Sequence, residues 1–132
     1  MSLLVPAIGQ DRLLLYMVNR LAPDDVKYHL YSNNHTPAAA DSLSNYTELA
    51  GGGYSAQTAT GSGWSTAPVG GIETATAPDL TFSLTSSFTV YGYFVTDSGG
   101  THLLWAELFT GGPITFASLG GTLTLTPTIG MS

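Results

Sequence analysis

From Phe88 to Thr96 the chain runs Phe-Thr-Val-Tyr-Gly-Tyr-Phe-Val-Thr, nine residues dense in β-branched and aromatic side chains that suit the pleated surface of a sheet. Asp97-Ser98-Gly99-Gly100 follows, with the residue types that tolerate tight-turn backbone angles. Beyond it, in Thr101 to Phe109, Leu103 and Trp105 alternate with His102, Leu104 and Ala106. The two segments predict an antiparallel hairpin, and any fold for this chain has to accommodate it.

The same signature recurs in shorter pieces. Leu80, Phe82 and Leu84 alternate with polar neighbours, and Val26, Tyr28 and Leu30 share one face of a strand whose other face carries Lys27, His29 and Tyr31. Asn33-Asn34 and Thr36-Pro37 close that strand and open a loop through about Ser44. Ile114 to Phe116 follows the Gly111-Gly112-Pro113 turn, and Thr122 to Thr128 follows Gly120-Gly121 with Leu123 and Leu125 facing one way. Between Gly51 and Pro78 the chain is mostly Gly, Ser, Thr and Ala. Tyr46, Leu49, Tyr54, Trp64, Val69 and Ile72 recur there and nearby often enough to pack onto a sheet, which favours ordered loops and edge strands over the competing disordered linker.

One helix is expected. Leu14, Met17, Val18 and Leu21 recur at helical spacing between Gln10 and Leu21, with Asp11 in the first turn and Pro23 beyond the end. A strand through Leu13 to Val18 is the competing reading. Seven or eight short strands, Gly/Pro turns and one early helix predict a mainly β chain, a single β-sandwich or jelly-roll-like domain over residues 1–132. Residues 1–22 form its N-terminal arm and short helix, and residues 23–132 its β-rich body.

Composition narrows the function. Charged residues are only 9% of the chain, so the surface is expected to be neutral and hydroxyl-rich, with apolar parts covered by oligomerisation. The net charge is −6, and the three basic residues, Arg12, Arg20 and Lys27, all precede position 28. That leaves no clustered footprint for nucleic acid and disfavours anionic membranes. With no cysteine there is no disulfide or thiolate metal site. The segment Met1 to Pro6 lacks a basic signal-peptide region, and Leu13 to Val18 is too short to span a bilayer, so synthesis in the cytosol is expected.

Catalytic constellations are weak. His29, His35 and His102 have no partner at a ligand spacing such as HExxH, and no metal or other cofactor is expected. His29 and His102 read as solvent-facing or interface imidazoles, and His35 as a turn residue. Gly61-Ser62-Gly63 is only part of a nucleophile elbow and reads as a flexible turn. Glu107 with a raised pKa and Asp97 as partner would form a glycosidase-like pair, but a solvated or contact-satisfied carboxylate is the preferred reading. Asp24-Asp25 lacks a calcium-loop pattern and reads as a cap or turn. The sequons at Asn34 and Asn45 matter only in a secreted eukaryotic protein.

Tyr91-Gly-Tyr-Phe-Val-Thr96, followed across the turn by Leu103-Leu-Trp-Ala-Glu-Leu-Phe109, resembles a strand pair of small tailed-bacteriophage virion proteins. His29-Leu-Tyr-Ser-Asn-Asn34 and Thr36-Pro37 are similar to that group's first strand and turn, and the likeness runs in order along most of the chain. The resemblance implies a non-enzymatic head decoration or cement protein on the capsid exterior, often trimeric, that clamps the major capsid protein. Tail or head-tail components, and a carbohydrate-binding module of a fibre, are the alternatives. Contact residues expected on this reading are Arg12, Arg20, Tyr28, Tyr31, Trp64, Tyr91, Tyr93 and Trp105. Three to four of the six aromatics must instead be core, and alternation along a strand does not select which face is inside.

Overall fold

The computed structural model describes residues 3–130; Met1, Ser2, Met131 and Ser132, the ends of the span read as one domain, lie outside the described residues. The chain is mainly β and sandwich-like, with one α-helix and several antiparallel sheets. Eleven strands occur among the described residues, more than the seven or eight expected, because two long runs divide and the Gly-rich middle supplies three short strands.

The central sheet has the order β2-β1-β7-β8, formed by β1 (Val26–Tyr31), β2 (Gln57–Ala59), β7 (Gly92–Thr96) and β8 (Leu103–Leu108). β7 is buried at every position, as a strand covered on both faces must be. On one face Tyr28, Leu30, Tyr93, Val95 and Trp105 pack against Leu80, Phe82 and Leu84 of β5 (Leu80–Leu84) and Leu123 of β10 (Gly121–Leu125). On the other face Tyr31, Phe94, Leu103 and Ala106 lie under Tyr46 and Leu43 from the loop after β1. That loop is tied down by Asp41, whose Oδ2 accepts from the Tyr46 hydroxyl at 2.7 Å and the Ala38 amide at 2.9 Å and contacts His35 Nε2 at 2.7 Å.

The run Phe88 to Thr96 is two strands. β6 (Phe88–Val90) pairs with β9 (Ile114–Phe116), and the chain crosses at Tyr91-Gly92 into β7. A Cβ at Gly92 would stand 2.1 Å from the Glu107 carbonyl oxygen, so only glycine fits the crossing. The break reverses the alternation expected of one strand, placing Val90 with Tyr93 and Val95 while Phe94 faces the opposite side. A second shift lies in the hairpin: Thr96 pairs with Leu103 and Val95 with Trp105, leaving Leu104 as an unpaired bulge residue. Leu104 and Trp105 therefore join the same cluster, against the expected alternation.

The helix α1 spans Ala7–Met17, three to four residues earlier than expected. Pro6 sets its start with φ −62°, and Asn19, in the left-handed region at φ 57°, stops it short of Leu21. Asp11 accordingly falls after the first turn, which carries no acidic residue. Gly9 is the buried contact, lying against the Leu104 backbone of β8. Leu4 extends this edge by exchanging two hydrogen bonds with Ala106, at 2.9 and 3.0 Å.

A third sheet, β11-β4-β3, comprises β3 (Ser65–Val69), β4 (Ile72–Thr76) and β11 (Thr128–Gly130). Gly70 and Gly71, both with positive φ, make a two-residue turn, and β3 is exposed along its whole length. Beside such a turn Val69 and Ile72 form a hydrogen-bonded pair, so Pro68 takes a non-hydrogen-bonded site and directs its missing donor outward. An outward Pro blunts an open edge strand against indiscriminate pairing.

Candidate interaction site

A groove with a volume of about 460 Å³ lies between the β11-β4-β3 sheet and the edge of the central sheet. Its apolar lining comes from Val26, Ala59, Trp64, Ala75, Trp105 and Ile129, and its polar lining includes Asp24, Asp25 and Glu73. The local folding explains the placement. Glu73 and Ala75 stand two apart on β4 and so share a face, and Thr66 and Ile129 are both ladder partners of Ala75. Asp25 Oδ1 accepts the Gly61 amide at 2.7 Å, which pins the Gly61-Ser62-Gly63 turn, a single 3₁₀ turn, beside the groove. Asp24 accepts from the Ser98 hydroxyl and from the Asp25 amide, and the Ser98 bond outweighs burial in holding its pKa low. Both aspartates thus organise turns, as read from the sequence, and also line the groove.

No ion pair reaches Asp24, Asp25 or Glu73 among the described residues. The site therefore offers an apolar, tryptophan-bearing wall with an acidic lining that no salt bridge closes, though the charge of Arg12 reaches Asp24. Such a surface accepts an aliphatic or aromatic group that ends in a positive charge.

A second feature is the outer face of α1. Leu14, Met17 and Val18, the residues whose spacing predicts the helix, are 58%, 74% and 63% exposed, while the opposite face with Gly9 is buried. The apolar stripe points away from the body, contrary to the ordinary expectation for an amphipathic helix. At the tip of the third sheet Val69 and Ile72 are also exposed.

The expected contact residues divide sharply. Tyr28, Tyr31, Tyr93 and Trp105 are 1%, 0%, 9% and 5% exposed and belong to the core, so they are withdrawn as surface anchors. The reason is that the central sheet is covered on both faces, leaving its strands no outer side. Trp105 still contributes part of its surface to the groove that Trp64 also lines. Tyr91 is partly buried beside Leu108, away from these two. Arg12 is not a free cation: its Nη2 lies 3.2 Å from Asp97 Oδ2, and its Nε donates to the Tyr16 hydroxyl at 3.1 Å. Arg20 is exposed and forms no ion pair among the described residues. Sequence reasoning missed Glu73, Ala75 and Ile129, which only strand pairing brings together.

Each histidine meets a carboxylate. His29 is buried rather than solvent-facing, because the loop after β1 covers its face; its ring stacks on Phe94 with centroids 4.7 Å apart. Its Nδ1 lies 2.7 Å from Glu48 Oε1 and its Nε2 2.9 Å from Thr96 Oγ1. This acid, imidazole and hydroxyl series has the order of a nucleophilic triad, but Thr96 is fully buried and substrate has no path to it. His102 Nδ1 is 2.6 Å from Asp97 Oδ2. Burial acts to raise the Asp97 pKa, but hydrogen bonds from His102 and from the Thr101 and His102 amides outweigh it and hold it to about 2. Burial pushes the Glu107 carboxyl up. Glu107 faces Tyr93 while Asp97 sits beyond the other end of β7, so the two do not form the carboxylate pair considered from the sequence. Among the described residues no group of three or more His, Cys, Asp or Glu side chains could hold a metal ion.

A scan against protein-family models and a search of the curated proteins return no match to the chain.

Proposed function

We propose that this chain is a non-enzymatic structural protein of a tailed-bacteriophage virion, a decoration or cement protein that binds the major capsid protein on the capsid exterior after synthesis in the host cytoplasm. The observation that carries this reading is the uncovered apolar face of α1 on a chain with few charges. Burying a Leu, Met or Val side chain contributes roughly 1.5–3 kcal/mol, so Leu14, Met17 and Val18 stabilise an assembly far more than they do a lone protomer. The resemblance of the Tyr91–Thr96 and Leu103–Phe109 segments to small virion proteins supports the choice of assembly. Co-sedimentation of the purified chain with mature shells lacking it tests the proposal. Saturation at hundreds of copies per shell is expected, and absence of binding overturns it.

The groove favours one other reading, a carbohydrate-binding module, because Trp64 offers a partly exposed ring beside hydrogen-bonding carboxylates. Binding on a glycan array that is lost in Trp64→Ala would establish that role, and an array without hits removes it.

A further inference from the structure

We infer that the acidic groove receives the α1 apolar face of a second copy of this chain, forming a head-to-tail contact. Two surfaces carry the inference, and each lacks what the other supplies. The groove has Trp64, Ala75 and Ile129 beside three carboxylates that form no salt bridge among the described residues, although the charge of Arg12 reaches Asp24. The outer face of α1 presents Met17 and Val18 with the exposed Arg20 just beyond them. Arg12 is held by Asp97 and Lys27 is partly buried on β1, whereas Arg20 is exposed and free of ion pairs among the described residues, which makes it the cation best placed for a partner. Pairing α1 against α1 across a two-fold axis would cover the stripe but bring no counter-charge to Asp25 and Glu73. Seating α1 in the groove covers apolar surface on both copies and brings Arg20 to Asp24, Asp25 and Glu73.

The contact is heterologous, since the surfaces are different patches of one chain. One copy keeps a free helix face and its partner a free groove, so the contact propagates into a ring or an open chain according to its rotation. The contact uses the same α1 face on which the virion reading rests, and the two are told apart because self-association is measured without shells.

The test uses sedimentation velocity on the full chain and two variants with substitutions at exposed positions. Met17→Asp spoils the helix face, and Thr66→Arg with Glu73→Lys spoils the groove; circular dichroism checks that both retain the β spectrum. Wild type is expected to associate with rising concentration, and each variant alone to associate at least ~10-fold more weakly. Mixed together, the variants are expected to form one-to-one dimers, because one brings an intact groove and the other an intact helix face. A wild-type chain that stays monomeric to its solubility limit overturns the inference. So does a mixture that stays monomeric while wild type associates, and so does a groove variant that alone associates as strongly as wild type, the result that belongs to a two-fold contact between α1 faces.

Discussion

A Cβ at Gly9 would sit 2.0 Å from the Leu104 carbonyl oxygen, and the clash is with backbone that cannot swing aside. Alanine favours a helix by about 1 kcal/mol over glycine, yet overpacking of this kind costs about 1–3 kcal/mol. Gly9→Ala is therefore expected to destabilise the chain, read as a lower urea midpoint; an unchanged midpoint would mean that α1 does not lie this close to β8. Asp97 makes a second prediction at this scale. Its folded pKa of about 2 lies below the usual 3.8, so its stabilisation is complete above about pH 4 and lost as pH falls towards 2. The linkage amounts to about 2 kcal/mol. Asp97→Asn should lose that much at pH 7 and flatten the acid limb of the stability curve, measured by urea unfolding from pH 7 to pH 2. The Arg12–Asp97 contact was not legible beforehand, since the two are 85 positions apart and local patterning does not report ion pairs of that separation, whereas the Thr101 and His102 bonds that lower the Asp97 pKa lie within the predicted hairpin.

Among elements, β1 (Val26–Tyr31), β5 with its strict alternation and β9 (Ile114–Phe116) were legible to within a residue, because each is short and unbroken between turn residues. The longer segments were misread in phase. Alternation counts residues along one strand, and the bulge at Leu104 leaves no mark in residue type, while the crossing at Tyr91-Gly92 leaves one, a glycine inside a strand run, that alternation does not count. Hydrogen exchange distinguishes the resulting environments. Amides of β7, paired on both edges and buried throughout, should exchange slowest, while those of β3 exchange among the fastest. Comparable rates in the two strands would contradict the exposed third sheet. Phe82→Ala, which empties the centre of the sandwich, is expected to cost about 3–5 kcal/mol in urea unfolding, against little for the exposed neighbour Thr81→Ala.

For the molecule as a whole, the two-sided cover of the central sheet buries several tyrosines. Burial pushes the phenols of Tyr28, Tyr46, Tyr54 and Tyr93 up, and that of Tyr31 to about 12. A folded pKa raised above the unfolded value removes stability as pH climbs past about 10, so ionisation of these rings should accompany unfolding in a spectrophotometric titration. A smooth titration near pH 10 with the β spectrum intact would show them accessible. By contrast Met17→Asp should change protomer stability by no more than about 0.5 kcal/mol, because the side chain is 74% exposed. Residue types alone determined the mainly β class, the turn positions, the presence of one helix and the shortage of positive charge, since these depend on local backbone preference and on counting. Which aromatics are core, which way the α1 stripe points and which carboxylates gather at the groove were decided by tertiary structure. Those outcomes depend on what covers each face, and the covering segments come from distant parts of the chain.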